Sequence, residues 1–327
     1  MRHPPSFWQG PDGRRHPLAR LLRPLSWIYG AVVARKLAQA QPTKVGCPVI
    51  CIGNLTMGGV GKTPFADSLA RLVTEMGYTP HLLLRGYGGH EQGPLRMTDA
   101  HTANAVGDEA CMLAQQWPVW VAKDRAQGAQ AAAAAGADVI LMDDGFQNPS
   151  VYKDFSFVLI DKTAGLGNGL VFPAGPLREV PDAGVARADA LVLVGDGDAA
   201  LPTFPSDKRV FDAHIQIDTA AIPSGPLVAF AGIGRPQKFF DSLTEAGANI
   251  AHTEPFADHH PYSPSEINCI KAKAASLGAQ LVTTEKDFAR LSPADAEGIT
   301  SIPARMALSP QDGLKATLTQ IMARNTL

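Results

Sequence analysis

A glycine-rich loop between an apolar run and a helical pattern constrains this chain more than any other feature. The loop, with the last residue of that run, reads Ile52-Gly-Asn-Leu-Thr-Met-Gly-Gly-Val-Gly-Lys-Thr-Pro64, and the helical pattern covers residues 65–73. Glycines let backbone N–H groups wrap around phosphate oxygens, while a lysine reaches the outer phosphates and a threonine hydroxyl can bind Mg²⁺. The sequence therefore predicts a phosphate-binding P-loop.

The residues predicted to bind nucleotide lie consecutively in this loop. Lys62 also has a predicted catalytic role, and Thr63 is a predicted metal ligand. Thr56 stands where the standard pattern has its first glycine, which leaves the phosphate-gripping half of the loop intact. A glycine turn with a chance Lys-Thr pair is the alternative, and the strand and helix on either side favour the P-loop. The full predicted set is Thr56, Met57, Gly58, Gly59, Val60, Gly61, Lys62 and Thr63.

Apolar runs alternate with helical patterns from Cys47 onward, as in parallel sheets covered on both faces. We expect an α/β fold with a P-loop NTPase-like parallel sheet, a smaller C-terminal α/β domain and an N-terminal amphipathic helix. The polar stretch 196–208 marks the boundary, so the predicted segments are 1–45, 46–200 and 201–327.

Composition narrows the class of protein. The 327 residues are 45% hydrophobic and 18% charged, which is typical of a globular chain and excludes a disordered one. The four cysteines form no C-x-x-C pair, which argues against a zinc site or a disulfide scaffold and favours a reducing compartment. Nothing in the chain predicts a nucleic acid or a protein as partner.

The first 45 residues form a strongly basic segment. They hold eight of the 29 Lys and Arg residues and Asp12 as their one acid, a net charge of +7. The apolar stretch between Arg23 and Arg35 is too short to span a membrane, which takes about 20 residues. Its helical spacing leaves two alternatives, a helix packed on the protein's own core or a helix lying in a membrane interface. The apolar residues at this spacing are Leu18, Leu21, Leu22, Leu25, Ile28, Tyr29, Val32 and Val33.

Three groups of polar residues are candidates for chemistry. Asp143 and Asp144 end an apolar strand, where ligands bind in such sheets, and we expect them to hold a metal or its water. Asp108, which opens a helix, is either a cap or the carboxylate that takes the proton of an acceptor hydroxyl. His259 and His260 follow Asp258, a cluster that suits proton relay or substrate positioning better than zinc.

Seven motifs in order resemble the tetraacyldisaccharide 4'-kinase family, the lipid A 4'-kinases. Besides the loop Gly53–Pro64 they are Arg85-Gly-Tyr-Gly88, Gly107-Asp-Glu109, Asp143-Asp-Gly-Phe-Gln147, Phe172-Pro-Ala-Gly-Pro-Leu-Arg-Glu179, Phe256-x-Asp-His-His260 and Thr284-Glu-Lys-Asp287. The resemblance covers nearly the whole chain. It departs at Asn148, where the family commonly has a histidine.

The resemblance implies an activity and a location. The activity is transfer of the γ-phosphoryl of ATP, with Mg²⁺, to the 4'-hydroxyl of an acylated glucosamine disaccharide 1-phosphate. The location is the cytoplasmic face of the bacterial inner membrane, where an anionic surface meets the basic N-terminus, and this favours membrane docking of that helix.

The resemblance also implies roles for individual residues. Asp108 and a histidine form a catalytic dyad, in which His259 is preferred to His260. Residues at the edge of the active site are Glu109, Gln147, Arg178 and Glu179.

Two other functions compete with this one. One is a P-loop ATPase that sorts cargo or matures metalloenzymes, whose loop usually carries a lysine where Met57 stands. The other is a nucleotide-gated membrane-binding module, which would need neither Asp108 nor the histidine cluster.

Overall fold

A mostly parallel sheet carries the glycine-rich loop at its centre. The computed structural model describes residues 4–323 apart from 200, 202, 203, 207 and 259. Within these residues the larger sheet consists of nine strands. They are β1 (Val49–Asn54), β2 (Pro80–Leu84), β3 (Leu95–Arg96), β4 (Val119–Val121), β5 (Val139–Asp143), β6 (Phe155–Asp161), β7 (Ala190–Val194), β8 (Arg209–Ile217) and, numbered last along the chain, β13 (Ala304–Ser309).

Helices cover both faces of this sheet. The strand order is β13-β8-β7-β6-β1-β5-β2-β4-β3, parallel except for the edge strands β13 and β3. The buried apolar strands predicted by the sequence occupy the centre of the sheet, and the predicted fold class is confirmed. The helices of the described residues are α1 (Pro17–Ala38), α2 (Lys62–Glu75), α3 (Ala103–Val106), α4 (Asp108–Ala114), α5 (Arg125–Ala134), α6 (Pro181–Arg187), α7 (Pro236–Glu245), α8 (Pro264–Ser276), α9 (Glu285–Phe288), α10 (Pro293–Ala296) and α11 (Gln311–Ala323). Of these, α8 and α9 pack on a second sheet.

The pairing of β1 fixes the position of the site. β1 lies between β5 and β6, and Ile52 of β1 stands opposite Asp143 of β5. Because parallel strands present their carboxyl ends at one edge, the loop after β1 and the carboxylates after β5 meet there.

A second, four-stranded parallel sheet lies further along the chain. Its order is β10-β9-β11-β12, with β9 (Pro226–Ala231), β10 (Asn249–Pro255), β11 (Gln280–Thr284) and β12 (Ile299–Ile302). The sheet topology does not follow the predicted boundary at residue 201. β8 pairs with β7 and β13 pairs with β8, so the chain leaves the larger sheet only after residue 217 and returns to it at residue 304. The polar stretch that suggested the boundary connects two neighbouring strands of one sheet.

Helix α1 is attached through one narrow face. Ala19, Ser26 and Gly30 are buried, and the Oγ of Ser26 accepts a hydrogen bond of 3.0 Å from the backbone N–H of Ala174. The apolar residues of another face are 50–73% exposed, namely Leu18, Leu21, Leu25, Ile28 and Val32. Of the two sequence alternatives, packing on the core accounts for only part of the apolar pattern. Among the described residues, no helix is both long and apolar enough to cross a membrane.

Candidate functional site

The glycine-rich loop has the backbone conformation of a phosphate cradle. Gly58 and Gly61 have φ values of 125° and 90°, a region that residues with a Cβ rarely adopt. A Cβ at Gly61 would also lie 2.7 Å from the Cε of Met306. The loop leads directly into α2, whose first residue is Lys62. Free N–H groups at such a helix start favour an anion.

Asn54, the last residue of β1, forms hydrogen bonds that fix the conformation of the loop. Its Nδ2 donates to the carbonyl oxygen of Thr56 at 2.7 Å, and its Oδ1 accepts from the Nζ of Lys62 at 3.3 Å. The backbone N–H of Met57 donates to the carbonyl oxygen of Pro176 at 2.7 Å. The loop is therefore pre-shaped by a buried amide and by the segment that precedes Arg178.

Asp144 is the carboxylate that lies nearest to Lys62. Its Oδ1 is 3.5 Å from the Nζ of Lys62 and 2.6 Å from Nη1 of Arg178. Burial opposes its ionisation, but Lys62 and Arg178 outweigh that effect and lower the pKa of Asp144. Its φ of 49° is unusual for a residue with a side chain and aims the carboxylate at these two cations.

Asp143 contacts Thr63, the second residue of α2. The hydroxyl of Thr63 donates to its Oδ2 at 3.4 Å, and its buried Oδ1 has no hydrogen-bond partner in the described part of the chain. Burial, followed by the charge of Glu109, raises the pKa of Asp143 to about 7. An unpartnered carboxylate oxygen beside a P-loop threonine fits Mg²⁺, which prefers hard oxygen ligands and completes its shell with phosphates and water.

Gln147 and Glu179 contact each other beside the end of β1. The Nε2 of Gln147 donates to the carbonyl oxygen of Asn54 at 3.0 Å and to Oε1 of Glu179 at 2.8 Å. Glu179 is buried and pairs with Arg187 at 2.5 Å. Among Gln147, Arg178 and Glu179, only Arg178 contacts Asp144.

Asp108 is buried and ion-paired across the two sheets. Gly107 is the N-cap of α4 and Asp108 is its first residue, and the Oδ1 of Asp108 accepts a hydrogen bond of 3.0 Å from the backbone N–H of Glu109. The Oδ2 of Asp108 accepts from Nε and Nη2 of Arg290 at 2.9 and 2.5 Å, and both side chains are less than 10% exposed. Beside them, the Nζ of Lys286 donates to Oε1 of Glu109 at 3.2 Å.

The histidine segment is connected to Asp108 through this pair. Arg290 also donates to Oδ1 of Asp287 at 2.8 Å, and the hydroxyl of Tyr262 donates to the same oxygen at 2.9 Å. His260 lies two residues from Tyr262, and its Nε2 is 3.0 Å from Oε1 of Glu266. His259 lies outside the described residues.

Sequence reasoning missed several residues of the site. Asn54 lay inside the glycine-rich motif without a role, and Arg290 follows the Thr284–Asp287 motif by three residues. Arg125, whose Nη2 donates to the carbonyl oxygen of Asp143 at 3.1 Å, belongs to no motif. The partner of a buried arginine depends on which segments the fold brings together. Residue spacing along the chain therefore does not predict such a pair.

The fold and the site together define a P-loop nucleotide-binding protein. A second side of the site, which bears carboxylates, is formed by residues from both sheets. The family model for tetraacyldisaccharide-1-P 4'-kinase matches residues 18–323. The chain belongs to this family, and the protein is a kinase.

Known relatives and a solved structure agree with this assignment. A tetraacyldisaccharide 4'-kinase of Hyphomonas neptunium is 45% identical over 327 residues, 98% of each chain. One of Methylorubrum extorquens is 49% identical over 305 residues, 91% of this chain and 92% of the relative. The crystal structure of LpxK from Aquifex aeolicus in complex with ATP is 26% identical, with a TM-score of 0.76 over 93% of this chain and 99% of that one.

The opposite pKa shifts of Asp143 and Asp144 predict opposite effects of pH on stability. The folded protein holds a proton on Asp143 up to pH of about 7, whereas the unfolded chain loses it near pH 3.8, so this group lowers stability as pH rises between these values. Asp143→Asn should therefore gain about 3 kcal/mol relative to the wild type between pH 5 and pH 8, at roughly 1.4 kcal/mol per pKa unit over about two units. Urea unfolding without nucleotide or Mg²⁺ measures the difference.

Asp144→Asn is the matched control for this experiment. The pKa of Asp144 is lowered in the fold, so its carboxylate stabilises the protein at neutral pH, and that contribution is lost as pH falls through the folded pKa. This variant should lose stability relative to the wild type at pH 8 and lose less toward acid pH. The same sign for both variants would contradict the assignment of Asp143 as the desolvated carboxylate.

Proposed function

We propose that this kinase transfers the γ-phosphoryl group of ATP to the 4'-hydroxyl of a tetraacyldisaccharide 1-phosphate, a step of lipid A biosynthesis. The observation that carries the proposal is a pair of contacts at the P-loop edge of the sheet, where Lys62 contacts Asp144 and Thr63 contacts Asp143. The chain also belongs to this kinase family. The 4'-oxygen attacks the γ-phosphorus, the bond from that phosphorus to the bridging oxygen breaks, and ADP leaves. Lys62 would stabilise the charge on the transferring group.

Mg²⁺ fits the donor set beside Lys62. Thr63 and Asp143 would hold it, and when bound it neutralises charge on the phosphate oxygens. Asp144 and Arg178 keep Lys62 fixed at the same edge of the sheet. The high pKa of Asp143 is a property of the ligand-free site, because a cation beside a carboxylate favours its ionised form.

On the acceptor side, Asp108 and His259 would take the proton of the 4'-hydroxyl. Support for Asp108 comes from its burial and from the network through Arg290 to Tyr262, which ties it to the histidine segment. Support for preferring His259 to His260 comes from the contacts of His260, whose ring packs against Phe256 and whose Nε2 faces Glu266.

Helix α1 would hold the kinase on an anionic membrane surface, at the cytoplasmic face of the inner membrane. The exposed stripe of Leu18, Leu21, Leu25, Ile28 and Val32 supports this, since a stripe of this kind fits the boundary between headgroups and acyl chains. An acylated substrate stays in the bilayer because each buried methylene is worth about 0.8 kcal/mol. The enzyme must therefore approach the membrane.

The direct test of the proposed function is phosphate transfer to the lipid. Incubation with ATP, Mg²⁺ and tetraacyldisaccharide 1-phosphate should give a product heavier by one phosphate, detected by mass spectrometry. Lys62→Ala should lower turnover by at least about 100-fold and keep the fold, because its amine lies at the start of α2 and contributes charge rather than packing. Lys273→Ala, on the exposed side of α8, is the control and should be fully active. Near-normal turnover of Lys62→Ala would refute the assignment of the phosphate-binding loop.

Replacement of Asp108 distinguishes a catalytic role of its carboxylate from a structural role at the start of α4. Asp108→Asn should retain ATP affinity and lower turnover by about 10²–10⁴-fold, the usual range for a lost general base. Asp182→Asn removes an exposed carboxylate from the first turn of α6 and should leave turnover unchanged. Single-turnover kinetics and nucleotide titration measure the two effects. A stability loss with normal turnover would assign Asp108 a structural role.

Loss of the exposed stripe should release the protein from membranes. Leu21→Ser, Leu25→Ser and Ile28→Ser together should reduce co-sedimentation with anionic vesicles even at high salt, because salt screens the charges and not the apolar contact. The buried residues of α1 are untouched, so the catalytic rate on detergent-dispersed substrate should persist. A control with Leu277→Ser and Val210→Ser removes exposed apolar side chains elsewhere. Unchanged sedimentation of the triple variant would place the membrane contact elsewhere.

A further inference from the structure

Arg187, the last residue of α6, contacts two separate segments beside the phosphate-binding loop. Its Nη1 and Nη2 donate to Oε2 and Oε1 of Glu179 at 2.5 and 3.1 Å. The central carbon of the same guanidinium lies 4.5 Å from the centre of the Phe146 ring. Glu179 and Phe146 are buried, whereas the side chain of Arg187 is 35% exposed. A side chain from the surface therefore holds two buried groups at once.

Each of these two buried residues lies next to a member of the ion-pair cluster around Lys62. Glu179 directly follows Arg178, and Phe146 is two residues after Asp144. Arg178 and Asp144 pair at 2.6 Å, and the Oδ1 of Asp144 is 3.5 Å from the Nζ of Lys62. One guanidinium thus connects the two segments whose neighbouring residues form this cluster.

A chain of hydrogen bonds also leads from Glu179 to Lys62. The Nε2 of Gln147 donates to Oε1 of Glu179 at 2.8 Å and to the carbonyl oxygen of Asn54 at 3.0 Å. The Oδ1 of Asn54 accepts from the Nζ of Lys62 at 3.3 Å. Removal of the Arg187 guanidinium would deprive a buried carboxylate of its cation. The carboxylate would then move or take up a proton, and its hydrogen bond from Gln147 would change.

Close packing around these residues transmits such a movement to the end of β1. A Cβ at Gly53 would lie 2.4 Å from the Cβ of Phe146, and a Cβ at Gly184 would lie 2.4 Å from the Cδ2 of Leu55 and 3.2 Å from the Cδ of Glu179. Strand β1, Phe146 and α6 are therefore in tight contact. Because closely packed interiors leave little room for adjustment, a shift of Glu179 would displace the residues around it.

We propose that Arg187 is a positioning residue for phosphoryl transfer, which rests on the proposed function of Lys62. It acts through the carboxylate of Glu179, and the Phe146 ring fixes the plane of its guanidinium. An arginine suits both contacts, since its planar fork donates two hydrogen bonds to a carboxylate and its face stacks on a ring. Lys62 stabilises charge that develops during transfer, so its misplacement lowers kcat more than it lowers the affinity for ATP.

The test compares Arg187→Gln and Arg187→Lys with a matched control, Arg71→Gln. The side chain of Arg71 is 37% exposed, and its Nε and Nη2 donate to Oδ2 and Oδ1 of the buried Asp67 at 3.1 and 3.4 Å. Its guanidinium lies 5.6 Å from the centre of the Trp117 ring. Arg71 lies nine residues after Lys62 in α2, about 13 Å along the helix axis at 1.5 Å per residue. The control therefore removes the same kinds of contact away from the site.

Arg187→Gln should lower kcat for the lipid substrate by about 10- to 100-fold, because a small displacement of a catalytic group costs this much. The Kd of a non-hydrolysable ATP analogue should change by less than about threefold. Arg187→Lys retains the charge without the fork and should recover part of kcat. Arg71→Gln should lose as much stability in urea unfolding as Arg187→Gln does and keep kcat within about twofold of the wild type.

A double variant tests whether Arg187 acts through Glu179. Arg187→Gln combined with Glu179→Gln should lower kcat by no more than about twofold beyond the larger of the two single losses, since both changes break one contact. Losses that multiply would show that Arg187 acts by another route and would overturn the proposal.

Two further results would overturn the proposal. They are an unchanged kcat in Arg187→Gln and an equal loss of kcat in Arg71→Gln. All variants are also assayed for ATP hydrolysis, in which water replaces the lipid and the γ-phosphoryl group still leaves beside Lys62. A wild-type protein that transfers no phosphate to the lipid would overturn the proposed function. The Arg187 proposal would then be supported by the same pattern of losses in hydrolysis, and overturned by its absence.

Discussion

The contact between β1 and β5 is the constraint on which the rest of the site depends. Two parallel strands in register bring the loop after Asn54 and the carboxylates after Met142 to one point, and neither segment could form the site alone. The buried threonine hydroxyl then meets one carboxylate and the lysine meets the other, because consecutive residues at a strand end point in different directions. Asp143, without a cation partner at hydrogen-bond distance, has a raised pKa, and Asp144, between two cations, has a lowered one.

The smaller sheet contributes charge to the site through ion pairs with the larger one. Arg290 holds Asp108, Lys286 holds Glu109, and Arg235 reaches Asp161 at the end of β6. Removal of one partner of a buried pair leaves the other charge without compensation, at a cost of about 3–5 kcal/mol. The positions of Asp108 and Glu109 therefore depend on both sheets.

The N-terminal helix α1 has a packed face and an exposed apolar face. Its narrow buried face and the side chains of Trp8 and Arg14 attach it to the loop that leads to Arg178, and its opposite face exposes an apolar stripe. A helix that served packing alone would bury that stripe, since the apolar area would stabilise the fold. Packing within the described part of the chain therefore does not explain the exposed stripe of α1.

The sequence by itself determined the parts of this protein that local chemistry encodes. The strand, the glycine loop and the following helix are contiguous, so their residue types specify them directly, and the structure contains all three in that order. Strands with continuous apolar runs were also predictable, whereas β10 and the short or half-exposed strands β3, β12 and β13 were not, because their side chains show no clear period.

Only the tertiary structure decided that β8 and β13 extend the larger sheet, that Arg290 pairs with Asp108 across 182 residues, and that the apolar stripe of α1 has no cover among the described residues. These features depend on which surfaces meet in space. A pattern along the chain predicts whether a segment forms a helix or a strand. It does not predict which other segment that helix or strand packs against.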